Sequence, residues 1–149
     1  MFTNIIVWLC IHLGVSSFVS IVPRSFVASF SLLYRIKSWE RNGHVYERLG
    51  IKVWKGRLPE ARKWFRREKT IAHIREMGNI QMFEWQTNRS ELSHWLQMLP
   101  APLFFLFNPP WAGWIMLAYA ILFNVPFIMV QRYNRARLER LKDWQERRR

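Results

Sequence analysis

Glu91 and His94 stand three residues apart in NRSELSHWLQML (88–99), where a long basic stretch turns apolar. On a helix that spacing puts both on one face. A carboxylate one turn before a histidine can accept an imidazole N–H and so fix the tautomer. The other ring nitrogen is then left to take a proton from a substrate hydroxyl. Glu91 and His94 are therefore the candidate catalytic pair, with Trp95 and Met98 on the same face and Gln97 bordering it. The competing reading is a pair capping an interfacial helix, with Trp95 as its aromatic anchor. Glu-x-x-His pairs also hold di-metal centres, but those need two copies and further Glu ligands. One copy is present and there is no HExxH, so no metal is expected.

A second set lies in NVPFIMVQRYNRARL (124–138). Pro126 deprives the carbonyl of Leu122 of its usual helical partner. Asn124 sits beside that break in an apolar run, where an unpaired amide is costly. Gln131, Arg132, Tyr133 and Asn134 follow, with Arg135 and Arg137 beyond. As a cluster of donors they suit a phosphate, a carboxylate or a developing oxyanion. Arg135 and Arg137 are better explained as charges anchoring a span at the cytoplasmic face. That explanation does not extend to the amides of Asn124, Gln131 and Asn134.

The elements that must position these residues are membrane spans. Residues 4–22 contain no charged side chain, and neither do residues 111–130. A bilayer core of about 30 Å asks for about 20 such residues in a helix. Between them, 92–107 is apolar but short and interrupted by Pro100 and Pro102, with Asn108-Pro109-Pro110 at its end. The expected fold is an all-α integral membrane protein with about three transmembrane helices. The one at 92–107 would be short or re-entrant, and cytoplasmic interfacial helices would complete a single membrane domain, 1–149. A cleaved signal peptide is the alternative for residues 1–22, but a basic leading region is missing.

Charge sets the expected orientation. Residues 23–91 hold 15 Lys and Arg against 7 Glu, and the tail 131–149 holds 8 against 3 acids. The positive-inside rule places both in the cytoplasm and the N-terminus outside, giving a multi-pass protein of the cell membrane. Within the basic segment, 24–39 carries an apolar helical face and reads as an interfacial helix. Asn42-Gly43 reads as a turn, 44–49 as a short helix stopped by Gly50, and 59–69 as a helix presenting Trp64 and Phe65. The pattern of 70–91 is mostly helical and runs towards the next span. His12 is expected to bond a neighbouring helix, His44 and His73 to lie at the surface, and Cys10 to be buried.

The net charge of +13, nine Trp and eleven Phe would also suit a nucleic acid, but the apolar spans do not, and no nucleic-acid partner is expected. There is no CxxC, P-loop, GxGxxG or GxSxG. The one Asp, Asp143, rules out the HxxxxD motif of soluble glycerolipid acyltransferases.

WERNGHVYERLGIKVWKGRLPEA (39–61), ELSHW (91–95) and NVPFIMVQRYNRARL together resemble the glycosyl-4,4'-diaponeurosporenoate acyltransferase family of staphyloxanthin-type carotenoid synthesis. The likeness runs from about Trp39 to Leu138. It implies a membrane O-acyltransferase that moves a fatty acyl group onto a sugar hydroxyl of a glycosylated carotenoid or related glycolipid. The partners would be membrane lipid, a glycosylated isoprenoid or glycolipid acceptor, and a thioester or phospholipid acyl donor, with no cofactor. Glu91 and His94 would be catalytic; Asn124, Gln131, Arg132, Tyr133 and Asn134 would bind substrate. The alternative is a non-enzymatic membrane subunit or scaffold for a lipid- or carotenoid-modifying enzyme.

Overall fold

The computed structural model describes residues 2–58 and 80–148, and among these there is helix and no strand. The helix expected at 59–69 and His73 lie outside the described residues. Two helices are long and apolar enough to cross a membrane, Phe2–Ile21 and Pro110–Glu146, with mean hydropathies of 1.8 and 1.9 over their most apolar windows. Only 17 % and 33 % of those windows is buried. Phe2, Ile5, Leu9, Leu13 and Ile21 of the first helix, and Leu122 of the second, are well exposed. A core helix of a soluble domain would bury such side chains. Their outward display fits a bilayer as solvent.

The third apolar stretch is not one helix. The central helix, Ile80–Met98, stops before Pro100; a 3-10 turn (Ala101–Leu103) and a single turn of helix (Phe104–Phe107) follow. Proline at 100 and 102 removes donors from the ladder and restricts the residue before each, so the helix cannot continue. The 24–39 stretch likewise breaks, into Arg24–Ala28, Ser31–Tyr34 and a 3-10 segment Ser38–Gly43. Pro126, by contrast, is accommodated inside the long helix, which continues through the basic tail to Glu146. At 1.5 Å per residue it is about 55 Å long.

The described chain forms two compact units. The first comprises residues up to Ser31 and Arg89–Ile128; the second comprises Leu32–Asn88 and Met129 onward. In the first, Trp8 packs with Ala101, Phe104, Met116 and Ala120. Its indole donates to Met116 Sδ at 3.3 Å and stacks on Phe104. Asn4 Nδ2 donates to Asn108 Oδ1 at 2.9 Å, and Asn108 Nδ2 caps the carbonyl of Phe104 at 3.0 Å. His12 does bond across helices, 3.3 Å from the Tyr119 hydroxyl. Cys10, expected to be buried, is exposed, because the N-terminal helix packs through the other face, which carries Asn4, Trp8 and Ile11.

In the second unit Tyr46, Ile51, Val130 and Tyr133 form the core, with Trp54, Leu58 and Met129 against it. The Asn42-Gly43 turn is left-handed over three residues, with φ of 47° at Arg41, 53° at Asn42 and 91° at Gly43. His44–Arg48 follows as expected, with His44 exposed, and ends at Gly50 with φ 68°. Gly43 is doubly required. A Cβ there would meet the Ala136 Cβ at 2.9 Å, whereas one at Gly50 would meet nothing within 4 Å.

Gly43→Ala is therefore expected to destabilise the protein by about 2–3 kcal/mol and Gly50→Ala by about 1, since only the first adds a clash to the backbone strain. Thermal unfolding of the two variants in detergent checks the order, and equal losses would refute it.

Candidate active site and its buried braces

The central helix carries a polar stripe on an apolar background. Glu91 is fully buried, and His94 and Gln97 are nearly so. Facing them in the first unit, Asn124 of the long helix is also fully buried. Asn124 Nδ2 donates to the carbonyl of Ala120 at 2.9 Å, which directs its Oδ1 towards His94 Nδ1, 3.0 Å away. Oδ1 can only accept, so the ring proton belongs on Nδ1 and the basic lone pair on Nε2. Phe127 stacks on the imidazole with centroids 4.7 Å apart and an interplanar angle of 8°. The ring is thus oriented by a hydrogen bond and by a flat apolar neighbour.

The sequence suggested that Glu91 would orient His94. The hydrogen bond at Nδ1 comes instead from Asn124, thirty residues along the chain. Glu91 Oε1 accepts from the Trp95 indole at 3.3 Å. A line of rings leads to the histidine along the long helix. Tyr119 stacks on Phe123 at 5.6 Å, and Phe123 meets Phe127 at 5.7 Å. Residues 119, 123 and 127 recur every four positions, which keeps them on one helical face.

The remaining expected site residues belong to the second unit. Gln131, Arg132, Tyr133 and Asn134 are all buried. Arg132 is engaged throughout its guanidinium. Its Nε donates to Glu40 Oε2 at 3.2 Å, Nη2 pairs with Glu40 Oε1, Nη1 donates to the carbonyl of Leu33 at 2.9 Å, and Nη2 donates to that of Arg35 at 3.1 Å. Glu40 also accepts from the Tyr46 hydroxyl at 3.0 Å and from the backbone N–H of Lys37. Burial, then the Glu40 charge, push the Tyr46 phenol well above its ordinary range, so it remains a donor. Arg135 makes a similar tie, from Nη1 to the Tyr34 carbonyl at 2.6 Å and from Nε to Asn88 Oδ1 at 2.8 Å.

Glu40 was missed in the sequence, although it lies inside the quoted WERNG motif. Its signal was an acid in a strongly basic segment, next to a turn. Tyr133 packs in the core and directs its hydroxyl to Glu47 Oε1 at 3.4 Å. Burial works against the charge on Glu47, yet Lys52 and Arg140 prevail and hold its carboxyl below the ordinary range. No group of three His, Cys, Asp or Glu among the described residues could hold a metal.

A family model described as glycosyl-4,4'-diaponeurosporenoate acyltransferase matches residues 31–143. The chain belongs to that family. It is an acyltransferase, and the non-enzymatic alternative is set aside. A relative of that name from Staphylococcus haemolyticus (strain JCSC1435) is 33 % identical over 136 residues, covering 89 % of this chain and 78 % of its own. Another from Staphylococcus aureus (strain MRSA252) is 28 % identical over 137 residues, covering 90 % and 82 %. No solved structure matches the chain.

Breaking the buried pair from either side leaves a charge without its partner. Glu40→Gln and Arg132→Met are each expected to cost about 3–5 kcal/mol, and the double variant less than their sum. Denaturation of the three variants in detergent tests this, and additive losses would count against it. For Glu47 the depressed carboxyl contributes stability that is present above 4.5, its ordinary value, and lost as the pH falls through the lowered one. Glu47→Gln should flatten that acid limb of the stability profile.

Proposed function

We propose that this acyltransferase works within the membrane and esterifies a sugar hydroxyl of a glycosylated carotenoid or related glycolipid. The observation that carries the reading is His94, buried, held by Asn124 and stacked on Phe127, with its basic nitrogen at Nε2. That nitrogen takes the proton of the acceptor hydroxyl as its oxygen attacks the acyl carbonyl carbon of a thioester or phospholipid donor. A new C–O bond forms and the tetrahedral intermediate collapses with loss of the thiolate or alkoxide. The imidazolium returns its proton to that leaving group, so the histidine ends as it began. Glu91, three residues before His94 on the same helix, is assigned with it to the catalytic pair.

Gln131, Tyr133 and Asn134 are assigned to substrate binding, at the donor's polar end. Arg132 is assigned a positioning part in substrate binding, because its nitrogens are engaged by Glu40 and two carbonyls. The line of rings from Tyr119 to Phe127 offers an aromatic, apolar surface to a polyene, and the relatives' names include a diaponeurosporenoate glycoside. The excess of Lys and Arg in 23–91 and 131–149 supports a multi-pass arrangement with both in the cytoplasm and the N-terminus outside. The 92–107 stretch is then the ingoing arm and 111–130 the returning one, which together make two cytoplasmic ends possible.

The test is acyl transfer by the purified protein in lipid nanodiscs, offered glycosylated isoprenoids with thioester and phospholipid donors. His94→Ala is expected to lower kcat by about 10²–10⁴-fold, the usual contribution of a positioned base. Asn124→Leu should lower it by about tenfold or more through loss of the tautomer, with folding retained. A His94→Ala protein as active as wild type would sink the assignment.

A further inference from the structure

The polar stripe of the first unit extends beyond His94. One turn on, Gln97 is 4 % exposed. Its Nε2 donates to Ser16 Oγ of the N-terminal helix at 3.1 Å and lies 3.5 Å from Ser93 Oγ. Its Oε1 is sealed from solvent and has no hydrogen-bond partner among the described residues. A simple helix–helix tie explains the nitrogen end and leaves the oxygen unexplained. A buried acceptor without a donor is a standing cost that protein interiors avoid.

The chemistry of that oxygen selects what would satisfy it. It needs a donor, which an acyl carbonyl or a thioester does not have. A sugar hydroxyl does. With the amide turned over, the unmatched atom would be Nε2, and a hydroxyl could meet that too, being both donor and acceptor. Positions 94 and 97 share a helical face, their Cβ atoms about 5–6 Å apart. Ser16 is exposed and Gln97 buried, so the cluster reaches from the surface of the unit inward.

We propose that Gln97, with Ser16 and Ser93, is the subsite that recognises the sugar of the acceptor. It holds one hydroxyl while another is presented to His94 Nε2. The proposal rests on the acyl-transfer reading above and adds the group that distinguishes a glycosylated acceptor from its sugar-free parent.

Binding to the full-length protein in nanodiscs tests it, using a glucosylated long-chain isoprenoid and the same isoprenoid without sugar. Wild type is expected to prefer the glucoside. Gln97→Met should lose about tenfold in glucoside affinity, the worth of one neutral hydrogen bond, with the sugar-free affinity unchanged. Gln97→Glu, which keeps an acceptor oxygen at the same reach, should restore most of the preference. In transfer assays the Met variant should raise KM for the glucoside more than it lowers kcat. Should Gln97→Met not fold, Ser16→Ala at the exposed edge should lower the same preference, and its full retention would overturn the subsite. A Gln97→Met protein that keeps the preference, or weakens both ligands equally, would also overturn it. If wild type forms ester while Gln97 proves indifferent, the subsite fails and the acyl-transfer reading stands. If wild type neither forms ester nor prefers the glucoside, that reading fails and the subsite with it.

Discussion

An amide placed in a hydrocarbon-like environment has to be matched, and Asn124 is such an amide, fully buried in the apolar part of the long helix. One end of it is satisfied within the helix, at the Ala120 carbonyl, and the other by His94 of a different helix. The same hydrogen bond therefore joins two helices and decides which nitrogen of His94 is basic. Without Asn124 the Nδ1 proton would lose this acceptor. With it, an obligation of packing also orients the imidazole, and Phe127 on the ring face completes the orientation.

The second unit follows the same physics with full charges. Arg132 and Glu40 are both buried, and a buried ion pair is tolerable only when its remaining donors and acceptors are met. They are met by backbone and one phenol: the carbonyls of Leu33 and Arg35 accept from Arg132, while the Lys37 N–H and the Tyr46 hydroxyl donate to Glu40. The chain can reach those positions because Arg41, Asn42 and Gly43 turn it through a left-handed conformation, and because Gly43 has no side chain to strike Ala136. In this chain the WERNG residues thus serve packing, through Glu40 and the turn that follows it.

Much of the fold was legible in the residues. The two uninterrupted apolar runs became the two long apolar helices, the Asn42-Gly43 turn and the Gly50 stop fell where turn chemistry placed them, and His12 found a partner across helices. Continuity was harder to read. Apolar periodicity suggested one helix over 24–39, which is broken, whereas over 92–107 the break falls at the prolines that the sequence had marked as interruptions. Pro126 stops nothing, although its donor is missing too, because it sits well inside a long helix held on both sides of the break. Local propensity does not report whether neighbours compensate for it.

For the proposed site, the candidates at 91, 94, 124 and 131–134 were legible in the sequence alone, as was the family they point to. Polar side chains in apolar helices are conspicuous because their burial is costly. Their pairing was decided only in three dimensions. Spacing along one helix favoured Glu91 as the residue that orients His94, since three positions is the distance at which side chains meet. Asn124 is thirty positions away, and Glu40 is ninety-two from Arg132, separations at which sequence carries no geometric information. Which donor meets which acceptor there depends on how the helices pack, and packing belongs to the folded chain as a whole.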